Sequence, residues 1–435
     1  MDTVRQDHVG TCGYDRPTTP FADEFASQGT LFTRSFSTST WTLPAHASMF
    51  TGLLPIDHHA DQDHLSVRSD LVLLASQLAQ AGYQTAGFTE NPWISDDTGL
   101  SRGFQVFQPL WGRRKAATPT EKVGTLDAIR TFFRRQRDDS RPLFLFVNLM
   151  KAHGPYRPKW DTARHFFPNR RSFKSAQKAG MRFGELPINN AWYVMPGRFN
   201  ANFFEKQRTL YDAEIRGADR MAEQILGLVG RYCALSEATV ILASDHGQNF
   251  GDHDHAGHAF SLYQSTLGVL LAARGPRFEA GRRVEAPASL TDIFPTFLAE
   301  AGLPLPEGIE GRDLGLEIPR LRSVRATYAW PFQALSAYPE VFKDHPVLNR
   351  YKRSLVVAVR GRYKIIRGSD GSEEIYDLEA DPKELRPLQG IPEGVREELR
   401  KLAGDFPPMR RAPEAPQPAL PQETEEALRN LGYLE

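Results

Sequence analysis

The residues of this chain best equipped for chemistry stand in one run, Asp245-His-Gly-Gln-Asn-Phe-Gly-Asp-His-Asp-His-Ala-Gly-His258, where four of the thirteen positions from His246 onward are histidine. A carboxylate beside an imidazole offers a divalent cation one hard oxygen and one nitrogen. Read alone, Asp245 caps a turn and His246 packs in a core almost as readily; the density of His around them tips the reading toward metal. A second candidate is Thr42, in Trp41-Thr-Leu-Pro-Ala-His46. Pro44 suits the first turn of a helix, which places Thr42 just before a helix N-terminus, where backbone N–H groups and the helix dipole favour an anion. A hydroxyl there is either the helix cap, its commoner role, or a nucleophile held against a bound oxyanion.

Such groups need rigid elements behind them. Thr239 to Ala243 is a β-branched and apolar run that reads as a buried strand ending in Ser244-Asp245-His246-Gly247. In open α/β sheets ligands sit outside the carboxyl ends of strands, which is where Asp245 and His246 fall. Leu143 to Leu149 reads as a second buried strand, followed by Met150-Lys151-Ala152-His153-Gly154-Pro155-Tyr156. A third, Gln84 to Thr89, runs into Glu90-Asn91-Pro92, where Asn91 is a substrate contact or simply a turn residue before Pro. Helices are predicted over Asp70–Ala81, Lys122–Arg137 and Phe204–Tyr232. Thr33–Thr40 leans toward strand. Residues 164–202 show no period and read as an insertion or long loop. Beyond Glu317 the character changes to antiparallel strands at Ala326–Trp330, Leu355–Arg360, Tyr363–Arg367 and Glu374–Leu378, with hairpin signals at Gly361-Arg362 and Gly368–Gly371 and a helix from Val395 to Ala403. A Pro-rich stretch, 412–421, precedes a last helix, Gln422–Leu431. The expected division is a catalytic unit over 1–316, an α+β unit over 317–411, and a linker with terminal helix over 412–435.

Composition narrows the partners. Lys plus Arg equals Asp plus Glu at 53 each, so nothing predicts a general affinity for nucleic acid or an anionic membrane. Two cysteines, Cys12 and Cys233, are too few for a disulfide framework. No apolar run is long enough to span a bilayer, and no signal peptide is evident. The chain as given is expected in the cytoplasm.

Four blocks, Asp2-Thr-Val-Arg-Gln-Asp-His-Val-Gly10, Thr42-Leu-Pro-Ala-His-Ala-Ser-Met-Phe-Thr-Gly52, Ser244-Asp-His-Gly247 and Gly257-His-Ala-Phe-Ser-Leu-Tyr263, resemble in order and spacing the sulfatase family of the alkaline-phosphatase-like superfamily. The resemblance implies a doubly wound α/β sheet flanked by helices, a smaller C-terminal α+β domain, and one divalent metal, Ca or Mg by family, holding the transferred anion. It implies Asp2, Asp245 and His246 as metal ligands; His246 tilts the site toward Mn or Zn. It places Thr42 at the nucleophile position, His46 where many members carry an Arg, and His153 and His258 against the anion or leaving group. Lys151 and His253 are further possible substrate contacts. Three departures stand out: Thr3 replaces the second Asp of a common Asp-Asp pair, Thr42 replaces the Cys or Ser that is oxidised to formylglycine, and His46 replaces the Arg. A Lys-x-His motif common in the family after the Gln84–Thr89 strand is absent. Cys12 lies in the wrong block to stand in for Thr42.

Residue 42 bears on the substrate. A geminal diol on formylglycine expels sulfate by reforming the aldehyde, a route closed to a Thr ester, whereas a Thr phosphate or phosphonate is opened by water at phosphorus. A small phosphoester or phosphonate ester is therefore the expected substrate. The alternatives are a sulfuric ester hydrolase, a phosphoethanolamine-type transferase, and a catalytically dead anion-binding relative. The resemblance also implies an apolar strand directly ahead of Asp2. Only Met1 precedes it, so the first strand is expected to be missing, and a longer start would admit a secreted or periplasmic location.

Overall fold

The structure is a computed structural model describing residues 1–111, 124–184, 200–331, 346–407 and 421–430. Its core strands fall into two groups. One is wholly parallel, in the order Val106–Pro109, Gln84–Thr89, Leu143–Asn148. Leu143-Phe-Leu-Phe-Val-Asn is apolar at almost every position, as a strand covered on both faces must be. Phe144 packs with Leu74, Leu78, Phe294 and Leu298 on one face. Leu145 and Val147 point the other way, onto Ile129, Phe132, Ile225 and Val229. The alternation is the period-2 pattern of a strand between two helical layers.

The second group runs Arg282–Val284, Thr30–Phe32, Leu271–Arg274, Val240–Ala243. Thr30–Phe32 is parallel to the first of these and antiparallel to Leu271–Arg274, which is antiparallel in turn to Val240–Ala243. Leu31, Leu270 and Ala272 pack beneath Phe25 and Tyr211, while Phe32, Leu271 and Ala273 face the largest cluster. No ladder joins the two groups among the described residues: Leu143–Asn148 ends one and Val240–Ala243 ends the other.

The C-terminal part is an antiparallel meander, Ser323–Tyr328, Leu355–Arg360, Tyr363–Gly368 and Glu373–Asp377. Val356, Ala358, Ile365 and Ile375 lie beneath Leu399 and Ala403 of the helix Glu393–Ala403. The intervening residues Leu355, Val357, Val359 and Ile366 face the main core, in one cluster with Phe36, Leu43 and Phe50. Arg322 forks onto Asp292 at 2.5 and 2.6 Å, both side chains buried, and ties the meander's first strand to the main unit.

Several predicted elements differ. The helix expected over 70–81 covers only Leu74–Gln80. Thr33–Thr40 contributes just Ser35–Phe36 as a strand, paired with Ala288–Ser289. The stretch 164–202, expected as loop, contains a helix at Arg170–Gly184. Its Phe173 and Ala176, at the i, i+3 spacing of one helix face, bury against Leu210 and Ala213 of the long helix Ala201–Val229. The helix predicted from Lys122 is described as Thr125–Arg135. Residues 412–420 of the Pro-rich stretch lie outside the described residues, and the last helix spans Gln422–Asn430.

Candidate active site

Asp245 and His246 follow the Val240–Ala243 strand, as the sequence placed them. Gly247 is required there: a Cβ would stand 2.1 Å from the Ser265 carbonyl oxygen. Asp2 lies between the carboxyl ends of the two strand groups, its N–H donating to the Leu149 carbonyl at 2.8 Å. Asp2, Asp245 and His246 are all buried, and one ligand atom from each lies within 4.8 Å of the others.

The hydrogen bonding of these three has a common form. Asp2 Oδ2 accepts from Asn91 Nδ2 at 2.6 Å. Asp245 Oδ1 accepts from the N–H groups of Thr3 at 3.0 Å and His246 at 2.8 Å. His246 Nδ1 lies 3.0 Å from the Gly247 carbonyl, which makes it the N–H and leaves Nε2 with its lone pair. The remaining atoms, Asp2 Oδ1, Asp245 Oδ2 and His246 Nε2, are buried without a hydrogen-bond partner. Buried polar atoms are normally satisfied. Three orphans converging from two carboxylates and one imidazole, each oriented by an outer hydrogen bond, form a donor set that fits a divalent cation. Burial, followed by the nearby Asp245 carboxylate, pushes the Asp2 carboxyl above its usual range; a cation removes that penalty. Thr3 contributes through its backbone. Its φ of 55° turns its N–H onto Asp245, a costly conformation for a β-branched residue, and its carbonyl is held by the Tyr211 hydroxyl.

Thr42 is the first residue of the helix Thr42–Thr51, all ten residues of which are buried. The cap position belongs to Trp41, and no side chain caps the helix. The Thr42 hydroxyl instead meets Asn91 Nδ2 at 3.1 Å. Asn91 therefore spans Asp2 and Thr42 from the end of the Gln84–Thr89 strand; a turn bond of its Oδ1 to Trp93 N–H, 2.9 Å, fixes its pose. His46, one helical turn on, lies with Nδ1 2.9 Å from the Thr42 carbonyl and 3.8 Å from Asp245 Oδ2. Its ring packs edge-on against Phe50 and Phe146, and burial lowers it to about 4.

His153 and His258 complete the cluster: their ring centroids are 5.1 Å apart, and His258 is 4.8 Å from His246. His153 Nδ1 contacts the Gly154 carbonyl at 2.6 Å and His258 Nδ1 the Gln248 side-chain oxygen at 3.0 Å. Burial lowers both imidazoles, His258 strongly, so both are neutral near pH 7. Two candidates go elsewhere. His253 stacks on Tyr263 at 3.7 Å, toward the C-terminal meander, and is outside the His153–His246–His258 ring contacts. Lys151 is exposed, its stem against Gly217 of the long helix. Burial pushes the Cys12 thiol up to about 12, unsuited to a nucleophile.

Arg5 is the residue that sequence reasoning missed. Buried, it donates to Asp7, to Asp252 at 2.9 Å and to the Gln248 carbonyl at 2.9 Å, clamping the N-terminal segment to the loop that carries His258. Its one signal was an Arg within a block otherwise explained by ligands.

The family model for sulfatases matches residues 1–303, and the chain belongs to that family. Arylsulfatase K of Xenopus laevis is 23% identical over 428 residues, covering 89% of this chain and 78% of the relative. Among solved structures, a phosphonate monoester hydrolase of Agrobacterium radiobacter superposes with a TM-score of 0.68 at 20% identity, covering 92% of this chain and 94% of its own. A protein solved in complex with its substrate D-glucosamine-2-N,6-O-disulfate gives a TM-score of 0.68 at 18% identity, covering 99% and 97%. The fold is thus alkaline-phosphatase-like, and the chain is a sulfatase-family hydrolase acting on ester bonds. Among the described residues no helix is long and apolar enough to cross a membrane.

Proposed function

We propose that the chain hydrolyses a small phosphoester or phosphonate monoester through a covalent intermediate on Thr42. The carrying observation is the Asn91 amide, which joins the Thr42 hydroxyl to the metal-ligand candidate Asp2 and leaves Thr42 free of a capping role. Asp2 Oδ1, Asp245 Oδ2 and His246 Nε2 are the atoms that would hold a divalent cation; bound, it supplies charge to the ester oxygens and lowers the pKa of a nearby hydroxyl. Thr42 attacks phosphorus and the alkoxide leaves. Water then attacks the same phosphorus and regenerates the hydroxyl. His153 and His258 are neutral, and the bonds at their Nδ1 atoms make Nδ1 the N–H, so each begins as a proton acceptor at Nε2. A proton taken there from Thr42 or water returns to the leaving oxygen, which fits a relay better than a standing acid. His46 holds the Thr42 carbonyl and shields the helix start with its aromatic neighbours.

A sulfate ester is the second reading, supported by relatives that are arylsulfatases. The test is a panel of aryl phosphate, phosphodiester, phosphonate monoester and aryl sulfate, with wild type and Thr42→Ala. Phosphonate or phosphoester turnover that Thr42→Ala abolishes supports the proposal. Turnover of sulfate alone, or activity that survives Thr42→Ala, overturns it.

A further inference from the structure

One buried charge pair has no part in the chemistry described so far. Lys364, on the strand Tyr363–Gly368, lies on the same face as Ile366 and opposite Tyr376, on the side of the meander that turns to the main core. Its side chain is fully buried, as is that of Glu384, and the two meet at 2.5 Å. Glu384 holds a φ of 57°, a conformation that persists in a non-glycine residue only where the surroundings enforce it. Buried ion pairs are poor sources of stability, and an apolar pair of similar volume often serves a core as well. The pair therefore needs another account.

The second carboxylate oxygen of Glu384 supplies one. Glu384 Oε2 accepts the N–H of Gln264, the first residue of the helix Gln264–Leu267, at 2.6 Å. Beside it, the Tyr263 hydroxyl donates to Glu374 of the meander at 2.9 Å, and the Tyr263 ring stacks on His253. Upstream, Arg350 donates to the His253 carbonyl at 3.0 Å and to His255 Nε2 at 2.8 Å. The C-terminal unit thus grips the span 253–264 at both ends, with His258 between the grips. Ala259 and Phe260, inside the span, have φ of 79° and 59°, backbone that keeps its shape only while it is held. The polar atoms of the candidate metal ligands and of Thr42, by contrast, bond within the main unit, to Asn91, Thr3, Gly247 and Leu149.

We propose that Glu384 is a positioning residue of the active site: by holding the Gln264 N–H it sets where the His258 imidazole stands against the ester, and Lys364 fixes its carboxylate for that task. The inference rests on the reading of His258 as a group that meets the ester or its leaving group, and on no choice between phosphorus and sulfur. The C-terminal unit then acts on proton transfer, leaving the cation site and the nucleophile to the main unit.

The experiment is a double-mutant cycle, read on whichever ester of the panel wild type turns over. Two uncharged versions of the pair are compared. Lys364→Met with Glu384→Gln keeps a side-chain oxygen for the Gln264 N–H; Lys364→Met with Glu384→Leu removes it. Each is made in the wild-type and in the His258→Gln background. The Gln form is expected to stay within about threefold of wild type in kcat, and the Leu form to lose about 10- to 100-fold, with KM and metal content unchanged. In the His258→Gln background the Leu form should lose nothing further. Amide exchange, read without substrate, should quicken over 258–264 in the Leu form only and stay as in wild type over 240–243. If the Leu form does not fold, Lys364→Met with Glu384→Ala takes its place with the same expected losses. Equal kcat for the Gln and Leu forms, losses that add to that of His258→Gln, or loss of metal in the Leu form overturns the proposal. Turnover of sulfate alone, or survival of activity in Thr42→Ala, would fail the phosphorus reading and leave this cycle intact.

Discussion

Thr42 opens a helix whose N-terminus no side chain caps and which is buried throughout, and that geometry sets the first prediction. Thr42→Ala removes one hydroxyl from a site that packing has already shaped. The midpoint of unfolding should move little, while kcat on the best substrate of the panel falls by about 10³-fold or more. For the metal, Asp245→Ala deletes a converging oxygen and leaves the Thr3 and His246 N–H groups without their acceptor. Wild type is expected to carry one divalent ion per chain by elemental analysis after dialysis, and Asp245→Ala none; full retention would dismantle the site. Asn91→Ala leaves all three candidate ligands in place but removes the amide that meets both Asp2 and Thr42. Losing its bond to Asp2 should weaken metal binding by about 10–100-fold in calorimetry, with the ion still detectable at saturating concentration. The placement of Asp245 and His246 after a strand, of Thr42 at a helix start and of His153 in the loop after Leu143–Asn148 was legible because each stands in a chemically dense block. The roles of Arg5 and Thr3 were not. The Arg5–Asp252 bond spans 247 positions, and the Thr3 contribution is a backbone N–H that any residue type would carry.

Elements with their own strong period could be read directly: the Gln84–Thr89 strand and the C-terminal hairpins stand where the pattern placed them, within a residue or two. The Arg170–Gly184 helix was not read, although Phe173 and Ala176 stand at the i, i+3 spacing of one helix face and bury against the long helix; that short signal lies among Arg, Lys, Ser and Gln. The long helix Ala201–Val229 also buries acids without a counter-ion in direct contact. Glu214 accepts the Arg157 N–H at 2.7 Å, and burial lifts it to about 7. The folded pKa is raised above the unfolded one, so the stability from its protonated form is present below about pH 4.5 and is lost as pH rises toward 7. Glu214→Gln mimics the protonated form and keeps the acceptor oxygen. It should raise stability at pH 8 by on the order of 2 kcal/mol and change it little at pH 4, as measured by urea unfolding at both. An equal effect at both pH values would rule out titration as the cause.

At the scale of the whole molecule, the C-terminal meander shares one apolar cluster with the helix that carries Thr42, and Arg322, beside the meander's first strand, pairs with Asp292 in the turn ahead of the helix Ile293–Glu300. Arg322→Ala leaves Asp292 buried with one charge unmatched, and should lower unfolding free energy by about 3–5 kcal/mol, read as a shift in urea midpoint. The meander also reaches the His-rich loop: Arg350 donates to the His253 carbonyl at 3.0 Å, and Glu384 accepts the Gln264 N–H at 2.6 Å. Its ties to the rest thus run to the loop of His258 as well as to the core. The candidate cation ligands carry a kinetic consequence. Thr3 meets Asp245 across 242 positions, and Met1 meets Ala243 across the same interval. Closing so long a loop costs chain entropy before any contact repays it, and contacts of that separation slow folding. During synthesis the first ligand emerges long before its two partners exist. The candidate cation site is therefore among the last parts of the molecule to assemble, and a nascent chain shorter than about 246 residues has all of Asp2 but nowhere to place it.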